Sequence, residues 1–405
     1  MIFNSIVRTI MLFLLMLAFA SVLPDSGAQS SSPEVKSRRF IVLDLTGTPY
    51  ERGVQHGQVL REAIHKSVAI WKENLQSTFK IDGNTFVKMF LAETNYLPAI
   101  KKWTPDLLEE VRGISDGALM DFNTILVFQL MDEYWVNGSE IAAQHCSAMG
   151  IAGAVGHPTI VAQNMDLENF RDGFQTILHI REASGLEELV LSQPGLIAFN
   201  GMNNHGVGVN TNTVAQLAHA RDGLPVAFVV RGILQRSTYQ DVASFLKTVH
   251  HASGQNYTIG ASGRVGYFEA SSHDVVEVAA TSSGRFIYHT NHPLANHDYS
   301  PEGTREMTSP NEADNSHTRY LSLQKRLATG PGTDIIQLVE NTLRSHDSEQ
   351  NPICREWSEK PDSFSYSSTI MILSGDSHLL ASPGPPDRYP YEEFRFSHGI
   401  KKTGR

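Results

Sequence analysis

The chain has 405 residues, 41% of them apolar and 19% charged, with a net charge of −10. That composition is ordinary for one large globular domain or two smaller ones, and it excludes a disordered chain. No Lys/Arg-rich run interrupts the acidic balance, so nucleic acid is not an expected partner.

Residues 1–28 read as a secretory signal peptide. Arg8 supplies the positive start, Ile10 to Leu23 is almost wholly apolar, and Ser26-Gly27-Ala28 offers small residues for a signal peptidase. The apolar run falls short of the roughly 20 residues of a membrane span. An uncleaved N-terminal anchor is the alternative. The expectation is export to the periplasm or the medium, without stable membrane association once the signal is removed. An exported chain usually pairs its cysteines. This one has two, Cys146 and Cys354, which either pair or leave a thiol free for chemistry.

Residues 29–38 (QSSSPEVKSR) form a polar linker. Phe40 to Leu45 reads as a strand and Gly47-Thr48-Pro49 punctuates it. Tyr50 to Lys72 carries helical periodicity with Gly53 and Gly57 inside, and helices continue over 84–130. Gly113-Ile114-Ser115-Asp116-Gly117 matches a G-x-S-x-G nucleophile elbow, but an elbow joins a strand to a helix. Here Leu107 to Arg112 is helical in pattern, so the glycines are expected to cap a helix C-terminus.

The texture changes at Cys146. From there to about residue 300 short apolar runs are split by Gly, Asn and Pro, with one helix near Thr238 to Val249. Helix returns over 316–345, and Thr369 to Leu380 reads as a hairpin around Gly375-Asp376. Helices, then strands, then both, predict a layered α+β domain over 39–405 with stacked sheets between helices.

Four segments hold candidate chemistry. Cys146 lies at the helix-to-strand switch. A thiol needs a base to become a strong nucleophile. Cleavage before Cys146 would free an α-amino group with a pKa of about 7.7–8.0, able to serve as that base. Alone, Cys146 reads as well as a buried small hydrophobe. Gln163-Asn164-Met165-Asp166 follows a turn containing Gly153, Gly156 and Pro158, and a returning strand would bring Asp166 beside Cys146. A carboxylate there would hold an ammonium, although a turn Asp is equally natural. In Phe199 to Asn212, glycines and neutral amides suit an oxyanion site. Asn203 and Asn204 read as a turn and Asn212 as the functional amide. His289-Thr290-Asn291 follows the apolar run Phe286-Ile287-Tyr288, which puts Asn291 just past a strand, where an amide can orient substrate or an oxyanion. His289, His292, His297 and Asp298 raise a metal reading, but no recognised ligand spacing appears.

With these residues in place, the chain resembles the peptidase C45 family, of the acyl-coenzyme A:6-aminopenicillanic acid acyltransferase type. The likeness is carried by FIVLDLTGTPYERGVQHGQVLRE at 40–62, Cys146-Ser147, QNMD at 163, GMNNHGVGV at 201, HTN at 289 and Gly384-Pro385-Pro386. It implies an N-terminal nucleophile hydrolase with a four-layer αββα sandwich. It also implies self-cleavage between His145 and Cys146, with residues 39–145 retained as a second chain beside 146–405. Cys146 would form a thioester, and Asp166 would orient its amine and thiol. Asn212 and Asn291 would hold the oxyanion or the amine. Arg319, and Asn164 beside Asp166, would support them. No cofactor or metal is implied, and the expected substrate is a small N-acyl amide. The departures are His145, where the family favours a small residue, and Met165, where an aromatic is usual. A fold relative that binds without catalysis, and a metal-dependent hydrolase built on the histidines, are the competing readings.

Overall fold

The computed structural model describes residues 38–137, 146–280, 285–308, 314–328, 334–357 and 363–397. The expected signal peptide, linker residues 29–37 and His145 lie outside them. The folded body begins at Arg38, placed in the linker by the sequence: its guanidinium pairs with Asp172 at 2.7 Å and lies over the rings of Phe364 and Tyr389.

Two sheets form the core. The first has eight strands in the order β1 (Ile41–Thr46), β4 (Thr176–Arg181), β5 (Glu187–Ser192), β6 (Asn200–Asn203), β7 (Gly208–Thr213), β8 (Gln255–Ala261), β9 (Arg264–Ala270) and β10 (Val275–Ala279). Only β1 and β4 run parallel. The second sheet is antiparallel, in the order β11 (Phe286–His289), β2 (Ser147–Ile151), β3 (Ile160–Glu168), β12 (Ser363–Ile372), β13 (His378–Ser382) and β14 (Glu392–Arg395).

β3 shows how the layers assemble. Side chains alternate across a strand. Val161 joins the core between the sheets, while Ile160 and Ala162 join Ile370 and Ile372 against Leu323, Leu327, Val339 and Leu343. Those four leucines and valines belong to two helices on the outer face, Asn315–Leu327 and Ile335–Leu343. Val226–Leu234 and Tyr239–Thr248 cover the first sheet. Helix, sheet, sheet, helix is the αββα sandwich, and 316–345 is two of its helices rather than one.

The N-terminal helices are α1 (Pro49–Val59), α2 (Arg61–Phe79), α3 (Gly83–Glu93), α4 (Leu97–Trp103), α5 (Pro105–Ala118), α6 (Phe122–Phe128) and α7 (Met131–Asn137). The Gly-Thr-Pro punctuation is a capping box: Thr48 accepts from the Glu51 N–H while the Glu51 carboxylate accepts from the Thr48 N–H at 2.8 Å. Continuing the numbering, Val226–Leu234 is α8, Tyr239–Thr248 α9, Pro301–Thr308 α10, Asn315–Leu327 α11 and Ile335–Leu343 α12.

The elbow-like motif lies inside α5, so its glycines are not caps. The cap is Leu119, in the left-handed region with φ 55°. The glycines let two helices touch backbone to backbone. A Cβ on Gly53 of α1 would stand 2.0 Å from the Glu110 carbonyl oxygen, and one on Gly113 would stand 2.2 Å from the Tyr50 carbonyl oxygen. Backbone cannot swing aside as a side chain does. Gly53→Ala is therefore expected to destabilise the fold by about 3 kcal/mol, read as a lower denaturation midpoint; a change within about 0.5 kcal/mol would mean the helices separate freely.

Behind this contact lies a buried ion cluster. Arg231 of α8 donates to Glu110 of α5 at 2.7 Å and to Glu188 of β5 at 2.7 Å, and all three side chains are fully buried. Arg52 of α1 approaches Glu110 at 3.3 Å. The cluster ties the helical N-terminal part to the first sheet.

Candidate active site

The hairpin expected from Gly153, Gly156 and Pro158 forms. Ser147 pairs with Asn164 and Ala148 with Gln163, which sets Cys146 beside Met165 and Asp166. The backbone N–H of Asp166 faces the Cys146 thiol. Cys146 is buried, and neither it nor Cys354 forms a disulfide.

Two groups fix the main chain at Cys146. Its carbonyl oxygen accepts from Asn212 Nδ2 at 3.1 Å and from Arg319 Nη1 at 2.6 Å. Arg319 also donates to Ser147 Oγ at 2.9 Å, to Asn291 Oδ1 at 2.9 Å and to Asn315 Oδ1 at 2.7 Å. The amide of Asn291 reaches back to the Thr213 carbonyl at 3.0 Å, and Asn256 holds the Asn212 side-chain oxygen at 2.9 Å. Cys146, Asn212, Asn291 and Arg319 therefore form one network, with the guanidinium at its centre.

Asp166 sits on the far side of β3. Its Oδ1 accepts from the Ser365 hydroxyl at 2.7 Å, and Arg355 stands 3.5 Å from Oδ2. Asn164 is not in this cluster. Its amide donates to the carbonyls of Leu343 at 2.8 Å and Ile353 at 2.9 Å, so it anchors the segment before Arg355.

Electrostatics keep the thiol neutral. Burial, and then the charge of Asp166, push the Cys146 thiol up to about 12, against the Asp166 N–H and the Arg319 cation. Burial also lifts Asp166 to about 6, opposed by Arg355 and Ser365. Burial lowers Arg319 to about 10.

The thiol opens on a narrow cavity of about 30 Å³, room for a water or two. Met165, Leu167, Leu196, Phe199, Val230 and Asp132 are among its walls. Asp132, from α7, was not singled out by the sequence, and no spacing marks it. It accepts from the Thr213 hydroxyl at 2.8 Å and from Gln255 at 2.5 Å. Its neighbour Glu133 accepts from the Val226 N–H at 2.9 Å and the Ser253 hydroxyl at 2.9 Å. Burial, with Asp132 second, raises Glu133 to about 8. A raised folded pKa contributes stability that is complete below the unfolded value and lost as pH rises through about 8. Between pH 4.5 and 8, wild type is expected to lose up to about 1.4 kcal/mol per pH unit that Glu133→Gln retains. Parallel stability curves for the two proteins would contradict this.

The histidine metal reading does not assemble. His289 faces Glu269 at 2.8 Å and the Thr290 carbonyl at 2.7 Å, His292 faces Ser316, His297 faces Tyr299, and Asp298 faces Ser271 and His273. Cys354 is not among the residues lining that cavity. Burial and the carboxylate of Asp387, to which it donates at 3.1 Å, hold its thiol far above the ordinary range.

The family profile described as acyl-coenzyme A:6-aminopenicillanic acid acyl-transferase matches residues 155–378, more than half of the chain. The match contains Asp166, Asn212, Asn291 and Arg319 and begins after Cys146. The 40 kDa form of acyl-coenzyme A:6-aminopenicillanic-acid-acyltransferase of Emericella nidulans is 24% identical over 321 residues, 77% of this chain and 84% of its own. Among solved structures, a single-substitution variant of conjugated bile acid hydrolase from Clostridium perfringens has a TM-score of 0.40 at 12% identity, over 62% of this chain and 97% of that one. Penicillin V acylase from Agrobacterium tumefaciens has a TM-score of 0.40 at 13% identity, over 59% and 83%.

Proposed function

We propose, for a chain that belongs to the acyl-coenzyme A:6-aminopenicillanic acid acyl-transferase family, that it cuts itself before Cys146 and then hydrolyses a linear N-acyl amide with Cys146 as nucleophile. The observation that carries this reading is the junction itself: a buried thiol at an apolar cavity, its main chain clamped by Asn212 and Arg319.

Among the described residues no imidazole lines that cavity, and Asp166 turns its carboxylate to Ser365. An α-amino group freed at Cys146 supplies the missing base. In maturation the thiol attacks the His145 carbonyl and the acyl group moves from nitrogen to sulfur. Water then releases residues 39–145, which stay bound. In turnover the Cys146 sulfur bonds to the substrate carbonyl carbon while the thiol proton passes to the α-amino group. The amide C–N bond breaks, the leaving amine takes that proton, and a thioester remains for water to hydrolyse.

Met165, Leu167, Leu196, Phe199 and Val230 favour an apolar acyl chain, for which the cavity of about 30 Å³ must widen. Water is the acceptor we favour, because the apolar run and small residues of 1–28 direct the chain out of the compartment where coenzyme A esters are made. The test is a series of N-acyl amides of graded acyl length, with products identified by mass spectrometry. Release of free acid and amine, at rates that follow the acyl group, supports the reading; no turnover across the series overturns it.

Asn212 contributes a neutral donor at the nucleophile, and losing one such donor costs about 10²–10³ in turnover. Asn212→Ala is expected to show that loss in kcat. An unchanged kcat would remove Asn212 from the reaction.

A further inference from the structure

We propose that His346, Cys354 and Asp387 form a binding site for a thiophilic divalent cation of the Zn²⁺ class, directly behind Asp166. The site does not depend on the reaction proposed above. Its three ligand atoms lie within 4.8 Å of one another, the one such group among the described residues. Cys354 Sγ stands 3.1 Å from Asp387 Oδ1, and His346 Nε2 stands 3.2 Å from Oδ2. Tetrahedral Zn²⁺, with bonds of about 2.3 Å to sulfur and about 2.0–2.2 Å to nitrogen and oxygen, sets its ligand atoms about 3.3–3.6 Å apart. Sulfur and nitrogen stand against different oxygens of the one carboxylate, so Asp387 must turn a single oxygen toward both to meet that spacing, and a water completes the tetrahedron.

The chemistry of the trio points the same way. The carboxylate lies between thiol and imidazole, so the imidazole cannot serve the thiol as base. A cation displaces the thiol proton to solvent, and the thiolate and carboxylate then balance its two charges. Nitrogen, sulfur and oxygen donors together suit Zn²⁺ better than Ca²⁺ or Mg²⁺, which take oxygen. Cys354 is buried, while His346 is half-exposed and opens the path from solvent. The neighbouring Arg388 lies 3.6 Å from Asp387 Oδ2, but Glu356 holds its other end at 2.6 Å and its side chain is exposed, so it can move aside.

The three ligands come from three separate places: the end of α12, the segment before β12 and the turn after β13. A cation would clip them together. That segment bears on the carboxylate beside the nucleophile. Ile353 accepts from Asn164 at 2.9 Å, Arg355 faces Asp166 at 3.5 Å, and the Arg355 N–H donates at 3.0 Å to the Ser365 hydroxyl that in turn holds Asp166. The bound cation would therefore position Asp166 without touching substrate.

The test is Co²⁺ titration of the full chain carrying Cys146→Ala, which leaves Cys354 as its single thiol. A thiolate-to-cobalt charge-transfer band should rise to saturation at one equivalent and be displaced by Zn²⁺. It should vanish in Cys354→Ser and need about tenfold or more Co²⁺ in His346→Gln and in Asp387→Asn. His346→Gln changes a half-exposed side chain and leaves the core intact, so its result does not turn on folding. No band, or a band indifferent to His346→Gln and Asp387→Asn, overturns the site.

Discussion

Cys146→Ala is expected to remain a single uncut chain and to lose amide hydrolysis by about 10⁴-fold or more. On the proposed reaction the two losses share one cause, because the thiol would be both the group that cuts and the group that turns over. The other hydroxyls lining the cavity are engaged elsewhere: Thr213 donates to Asp132, and Thr211 points to the Phe199 carbonyl. Neither has a base. Cys146→Ser keeps a nucleophile of similar shape but lesser reactivity, and is expected to cut slowly. Rates of acid release from the two variants, beside gels of the purified chains, check this. Hydrolysis that persists in Cys146→Ala would move the chemistry to another residue.

The second large effect is on stability. Glu110→Ala is expected to cost about 3–5 kcal/mol, because it leaves the fully buried Arg231 with half of its counter-charge. The Arg52 guanidinium, which approaches the same carboxylate, keeps only Glu182, at 3.6 Å, as a counter-charge. Chemical denaturation followed by circular dichroism measures the difference. A loss below about 1 kcal/mol would mean that water or a rearranged Glu188 compensates. The position of the cluster matters as much as its energy. Glu110 and Arg52 precede Cys146, whereas Arg231 and Glu188 follow it. A cut before Cys146 would leave the two parts joined by these charges, by the β1–β4 pairing and by the apolar core.

Much of the site is legible in the sequence, because local turn chemistry builds it. Gly153, Gly156 and Pro158 mark the hairpin that returns Asp166 to Cys146, and both strands carry apolar residues on each face. The sandwich itself follows from the change of texture at Cys146. Strand order is not legible. β12 inserts between β3 and β13 from nearly 200 residues downstream of β3, and nothing in its residues names that partner. Arg355 escapes notice beside the more conspicuous Cys354, yet it is Arg355 that faces Asp166. Asp132 escapes because an acid in a helix ordinarily faces water; only the fold shows it turned to the cavity. The glycines of α5 mislead for a related reason. Their i, i+4 spacing fits both an elbow and a close helix contact, and the choice depends on α1 lying across them.

Self-processing at Cys146 is read out by intact mass and N-terminal sequencing of the purified protein. Two chains that stay together are expected, one of roughly 29 kDa beginning Cys-Ser-Ala-Met and one of roughly 13 kDa once the signal is gone. A single chain running through His145-Cys146 in protein that hydrolyses N-acyl amides would contradict it. The same single chain without activity would leave a fold relative that binds rather than cuts.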